Sequence, residues 1–144
     1  DLMSYQINEG SLSLPGDAYF DGTINILRFE KLGTSLVVTR GKLQEGETLE
    51  KNFDNQIRKL EAQMKEVRFQ RRSNVNVGKN SDTPAIEVRS QYKDGNHRVY
   101  QFQLVWAMPG EQVMALSYVK PSPLGELESQ HWEEIKAGID ISKK

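Results

Sequence analysis

A pair of long apolar strands closed by a tight turn constrains this chain more than any other stretch. Arg98 to Met108 and Glu111 to Val119 flank Pro109-Gly110. Successive side chains of a strand point to opposite faces. Tyr100, Phe102, Leu104, Trp106 and Met108 therefore share one face, and Gln101, Gln103, Val105 and Ala107 share the other. On the second strand Met114, Leu116 and Tyr118 alternate with Val113, Ala115, Ser117 and Val119. The first face is bulky enough to be a core. The second mixes small apolar groups with amides and carries almost no charge, whereas a solvated sheet face normally shows Lys, Glu and Thr. That second face is expected to meet something apolar.

Shorter elements precede this hairpin. Tyr5 to Ile7 and Ser11 to Leu14 flank a turn at Asn8-Glu9-Gly10. Thr23 to Glu30 and Thr34 to Arg40 flank Lys31-Leu32-Gly33. Ile24, Ile26 and Arg28 fall opposite Asn25, Leu27 and Phe29, and the larger Leu27 and Phe29 are the expected core pair. Leu36 and Val38 fall opposite Val37 and Thr39. Thr48 is placed to cap a helix running to about Glu66. Leu49, Phe53, Ile57, Leu60, Met64 and Val67 form one stripe, with Asn52, Gln56 and Gln63 along its edge. Val67 to Val77 reads as extended, Pro84 to Tyr92 as a strand, and Asp94-Gly95 as a hairpin turn. Ser122 and Pro123 predict the cap and first residue of a second helix. Its inner face would hold Leu124, Leu127, His131, Trp132, Ile135 and Ile139.

Strand runs joined by short turns, with two helices, predict an α+β fold in a single domain over residues 1–144. The expected arrangement is an antiparallel sheet with both helices packed on one face. Ile24, Ile26, Val105 and Ala107 would then lie uncovered on the other. Helices on opposite faces would leave no open face and would rule out an apolar client. The open face also has plainer explanations: packing in a homodimer, or cover by a loop.

Signals for chemistry are sparse. His131, on the inner helix face, reads as a packed, hydrogen-bonded histidine, and His97, just after a turn, as a solvated one. No phosphate loop, nucleophile elbow or zinc spacing occurs. Asp17 and Asp21 read as turn formers rather than an acid–base pair. Arg68, Arg71 and Arg72 flank Phe69, a pattern that can bind nucleic acid. The run is short and acids outnumber bases, 20 against 19, so a solvated strand end is the expectation. The chain is thus expected to be no enzyme, with no metal, cofactor or nucleic-acid partner. The absence of cysteine excludes disulfides, thiolate chemistry and a lipid-anchoring thiol in this chain. No apolar run approaches the roughly 18 residues of a membrane span, and no signal peptide is visible. Asp1-Leu2 reads as a remnant ahead of a native start at Met3. A soluble cytoplasmic protein without direct membrane insertion is expected.

Tyr5 to Gly10, the Leu14-Pro15 turn, Thr23 to Ile26, Gly46 to Leu49 with its following helix, and Val99 to Val119 together resemble the Eag chaperones of type VI secretion effectors, within the wider DcrB-like group. The resemblance covers nearly the whole chain and rests on diffuse motifs. It implies a Mog1/PsbP-like α+β fold, usually homodimeric. It implies a cytoplasmic chaperone that holds the amino-terminal transmembrane segments of a toxic effector soluble and helps load the effector onto the secretion spike. In the family, apolar positions on the early strands and glutamines on the first helix and a later strand bind the client. Ile24, Ile26 and Val38 match the strand positions, and Gln56 and Gln103 are the nearest glutamines. Val105 joins them as part of the uncharged face. Exported lipoprotein relatives match poorly, because the chain shows neither a signal peptide nor a cysteine.

Overall fold

A computed structural model describes residues 2–16 and 18–141. Strands β1 (Leu2–Ile7) and β2 (Gly10–Pro15) pair only with each other. The main sheet has seven strands, with β3 (Asn25–Phe29), β4 (Thr34–Lys42), β5 (Lys65–Phe69), β6 (Ser73–Val77), β7 (Thr83–Asp94), β8 (His97–Met108) and β9 (Gln112–Lys120). Its order is β3-β4-β9-β8-β7-β5, every pairing antiparallel, and β6 follows β5 along the same edge of β7. The extended segment predicted over Val67 to Val77 is therefore two strands. The chain leaves the edge at Gln70 to Arg72, where Arg72 turns to pair with Asp54 of the first helix.

The two helices are α1 (Leu49–Gln63) and α2 (Glu126–Ala137). They lie on opposite faces of the sheet, which corrects the expected one-sided arrangement. Trp132 of α2 packs with Phe102, Leu104, Trp106, Leu116 and Tyr118. Phe53 of α1 packs with Ile86, Val88, Val105 and Val113. Phe102 and Val105 differ in strand parity, so they cannot share a face. The cause is register: Ile86 stands opposite Val105, and Val88 opposite Gln103. That juxtaposition makes the supposedly open face apolar enough at β7–β8 to hold a helix of its own.

The α2 side is an aromatic core. The Trp132 ring stacks on both Phe102 and Tyr118, each with centroids 5.9 Å apart. Such pairs contribute about 0.5–1.5 kcal/mol beyond the area they bury. The Tyr118 hydroxyl meets His131 Nδ1 at 2.7 Å, so His131 is the packed, bonded group expected. Phe29 packs here too, but Leu27 stays 50% exposed at the sheet edge, against expectation. Strand β3 is terminal, and among the described residues no strand pairs beyond it.

Thr48 caps α1 as predicted, its Oγ1 accepting from the Lys51 amide at 3.1 Å. Helix α2 begins later than Ser122 and Pro123 suggest. Gly125 is its cap, and the Glu128 carboxylate accepts from the Gly125 amide at 2.7 Å. Pro123-Leu124 instead form a lead-in that lays Leu124 on the core. Leu127, predicted inside, is 66% exposed, while Glu128, Trp132 and Lys136 form the buried line. Lys136 lies inside because Nζ reaches Glu87 at 2.6 Å and Glu133 at 2.8 Å. A buried charge persists only when paired in this way.

The β1–β2 hairpin is tied to the domain through Asp21. The Tyr5 hydroxyl donates to Asp21 Oδ2 at 2.7 Å, and Thr23 donates to Oδ1 through its amide, at 3.0 Å, and its hydroxyl. These bonds, led by that of the Thr23 hydroxyl, hold the Asp21 carboxyl below its usual value of 3.8. A depressed carboxylate stabilises the fold above its unfolded pKa, and the contribution is lost as pH falls through the folded value. A two-stranded hairpin is marginal alone. Asp21→Asn should therefore loosen the hairpin at neutral pH, and acidification below about pH 4 should do the same to the wild type. Faster proteolysis near Tyr19 and Phe20, with the main thermal midpoint unmoved, is the expected readout. Equal cleavage of wild type and variant at pH 7 would show that Asp21 does not tether the arm. Asp17, read as its possible partner, lies outside the described residues.

Candidate functional site

Helix α1 covers only part of its face. Phe53, 2% exposed, seals the β7–β8 side. Beyond it the floor is made by β4, β9 and β8. Val37 faces Ser117, which faces Gln103; Thr39 faces Ala115, which faces Val105. On the far rim Ile26 stands opposite Val37. Ile24 and Ile26 are 60% and 54% exposed. The result is a groove with α1 as one wall, β3 as the other, and a floor of Val, Thr, Ala, Ser and Gln. No charged side chain stands on that floor. Arg28 closes one end, where Nη1 donates to Ser35 Oγ at 3.3 Å.

Two cavities run along the α1 wall, of about 220 and 280 Å³, and both are lined by Phe53, Gln56 and Gln103. The two glutamines predicted from opposite ends of the chain are thus brought to one place. Among the described residues neither side chain makes a hydrogen bond. Asn52, on the same edge, is engaged by Glu47 at 3.2 Å. Burial pushes the Tyr92 phenol up, with Asp94 adding to the effect, and Lys59 also borders this second cavity.

The predicted residues divide accordingly. Gln56 and Gln103 meet at the α1 wall, while Ile26 stands on the opposite rim, three strands across from Gln103, with Ile24 just before it in the chain. Val38 lies outside the groove: it pairs with Leu116 and packs on the α2 core. Its neighbour Val37 holds the groove position, as the alternation of β4 against β9 requires. Val105 lies on the correct face but is 5% exposed beneath Phe53, so it is core rather than contact surface. Ala107, on the same face beyond it, remains exposed. Val37, Thr39, Ala115 and Ser117 were not singled out, because only cross-strand register places them together.

His97 is exposed. Among the described residues no group of three His, Asp or Glu side chains converges as a metal site. No helix of the described residues is long and apolar enough to cross a membrane.

The DcrB family model matches residues 9–138. No curated protein sequence matches the chain. A crystal structure of a Pseudomonas aeruginosa protein of unknown function is similar with a TM-score of 0.74 and 17% identity, over 98% of this chain and 97% of that one. At that identity the likeness establishes the fold alone.

Proposed function

The chain belongs to the DcrB family, and from that premise we propose that it is a cytoplasmic, non-enzymatic chaperone of the Eag type, with a Mog1/PsbP-like fold. Its client is the amino-terminal transmembrane region of a type VI secretion effector, which it shields and helps deliver to the secretion spike. It works without a cofactor, as a homodimer, and does not itself insert into membrane. The observation that carries this reading is a groove whose sheet floor bears no charged side chain, rimmed by exposed Ile24 and Ile26, with the free amides of Gln56 and Gln103 on its inner side and Arg40 and Lys42 bordering its cavity.

The opposed helices overturn the expectation of an open sheet face, so the reading now rests only on the groove that α1 leaves uncovered, whose dimensions suit a single helix. The floor strands β4, β9 and β8, about 4.8 Å apart, span about 10 Å, close to the diameter of one α-helix with its side chains. A transmembrane helix in water loses roughly 25 cal/mol for each apolar Å² left exposed. Isoleucine, valine and alanine cover such a surface. Transmembrane helices also carry small and polar groups that pair with one another, and a glutamine amide offers both donor and acceptor in their place. Gln56→Ala and Gln103→Ala should each weaken retention by about 0.5–1.5 kcal/mol. No change in either variant would remove the amides from the mechanism. His97→Ala should leave retention intact.

A second reading, a homodimeric assembly factor with no client, draws on the exposed apolar side chains Leu2, Met3 and Leu12 of the β1–β2 hairpin. Size exclusion with and without a coexpressed effector amino terminus separates the two. Coelution of the segment supports the chaperone. A dimer that never retains it supports the assembly factor.

A further inference from the structure

The other side of the sheet carries a surface of contrasting chemistry. A cleft of about 620 Å³ opens between β5, β7 and the lead-in to α2. Arg68 faces Gln91, which faces Tyr100. These three, with Arg89, stand on the α2 face, and Pro123 and Leu124 close the cleft. The Arg89 guanidinium lies over the Phe102 ring, 4.4 Å from its centroid, which holds the fork in place. An adjoining cleft of about 390 Å³ shares Arg89 and adds Arg71.

Among the described residues Arg68, Arg71 and Arg89 make no salt bridge, whereas Arg72 pairs with Asp54 and Arg98 with Glu66. The nearby carboxylates are already engaged. Glu87 accepts from Lys136 and from Trp132 Nε1, each at 2.6 Å, and Glu133 accepts from Lys136. Two unpaired guanidiniums, Arg68 and Arg89, therefore line this cleft, and a third, Arg71, stands in the adjoining one, on a chain whose net charge is −1.

We propose that this cleft binds an acidic peptide segment of another protein. A guanidinium fork matches a carboxylate through two parallel hydrogen bonds. Tyr100 and Leu124 supply apolar contact beside the forks, so the fitting segment carries an apolar side chain among its acids. Nucleic acid fits less well, because a phosphate track calls for an extended basic stripe, whereas only Arg68, Arg71 and Arg89 line these clefts as cations. The site is independent of the groove, which lies on the opposite face.

The test is fluorescence anisotropy of the full chain with a labelled octapeptide of glutamates around one leucine. The same octapeptide with glutamines, inorganic phosphate, and a short single-stranded oligodeoxynucleotide run in parallel. Binding should be confined to the glutamate peptide and should weaken as salt rises. Arg68→Gln and Arg89→Gln should each reduce affinity by about tenfold or more. Arg89→Lys, which keeps the charge but loses the fork, should fall between. Circular dichroism and unchanged retention of an apolar segment by the groove would confine the effect to this cleft. If Arg89→Gln unfolds, the exposed Arg68→Gln decides alone. The proposal is overturned if the glutamate peptide does not bind, if the glutamine peptide binds as well, if Arg68→Gln changes nothing, or if phosphate or the oligonucleotide binds more tightly.

Discussion

Ile24→Asp combined with Ile26→Asp should keep the fold and thermal midpoint and lose all retention of an apolar client segment. Both side chains are more than half exposed on the rim, so replacing them removes little packing. The bound state changes far more. Two carboxylates would be desolvated against an apolar helix, each at a cost of several kcal/mol if left unpaired. Two cations stand near, Arg28 on the same strand and Arg40, but the first is held toward Ser35 and the second donates to the Thr23 carbonyl and Asn25 Oδ1. Copurification of the effector amino terminus, alongside circular dichroism, reads both halves of the result. Unfolding would mean that these isoleucines are core. A folded variant that still holds the segment would move the binding surface elsewhere.

Phe53→Ala should produce the largest loss of stability among single changes on the groove side, about 3–5 kcal/mol. The side chain is 2% exposed and is the anchor between α1 and Ile86, Val88, Val105 and Val113. Arg72 also lies over its ring, 5.0 Å from the centroid. The loss is a large fraction of the roughly 5–15 kcal/mol that holds a domain folded. Client retention should fall with it, because the helix is one wall of the groove. Urea unfolding measures the first effect. A loss under about 1 kcal/mol would show that α1 is held by something other than this ring.

Much of this architecture follows from local pattern. The alternation of β8 and β9 identified the heavy face, and the spacing from Leu49 to Leu60 identified α1 with its Thr48 cap. What escaped was long-range register. Whether a face is open depends on which residues of β7 stand beside Val105, and Ile86 does. That single neighbour turns Val105 from contact surface into core. Val38 failed for a related reason: its strand was read correctly, but the face of that strand was not aligned with β9. Leu127 failed because a buried line can be built from Glu128 and Lys136 when each finds a counter-charge. The two glutamines came from the family resemblance; the amide edge of α1 by itself reads as no more than a boundary position, and Gln103 lies on β8.

The pairing of β4 with β9 has a consequence for when the groove can exist. Strands β7, β8 and β9 follow one another through short turns, so their contacts close small loops and form readily. Strand β4 must return across the whole intervening chain to meet β9, a closure with a greater entropic cost. Half of the groove floor, Val37 and Thr39, comes from the early strand, and half, Ala115, Ser117 and Gln103, from the late ones. A chain still emerging from the ribosome therefore presents neither half in usable form. Only the finished molecule carries both halves of the groove floor.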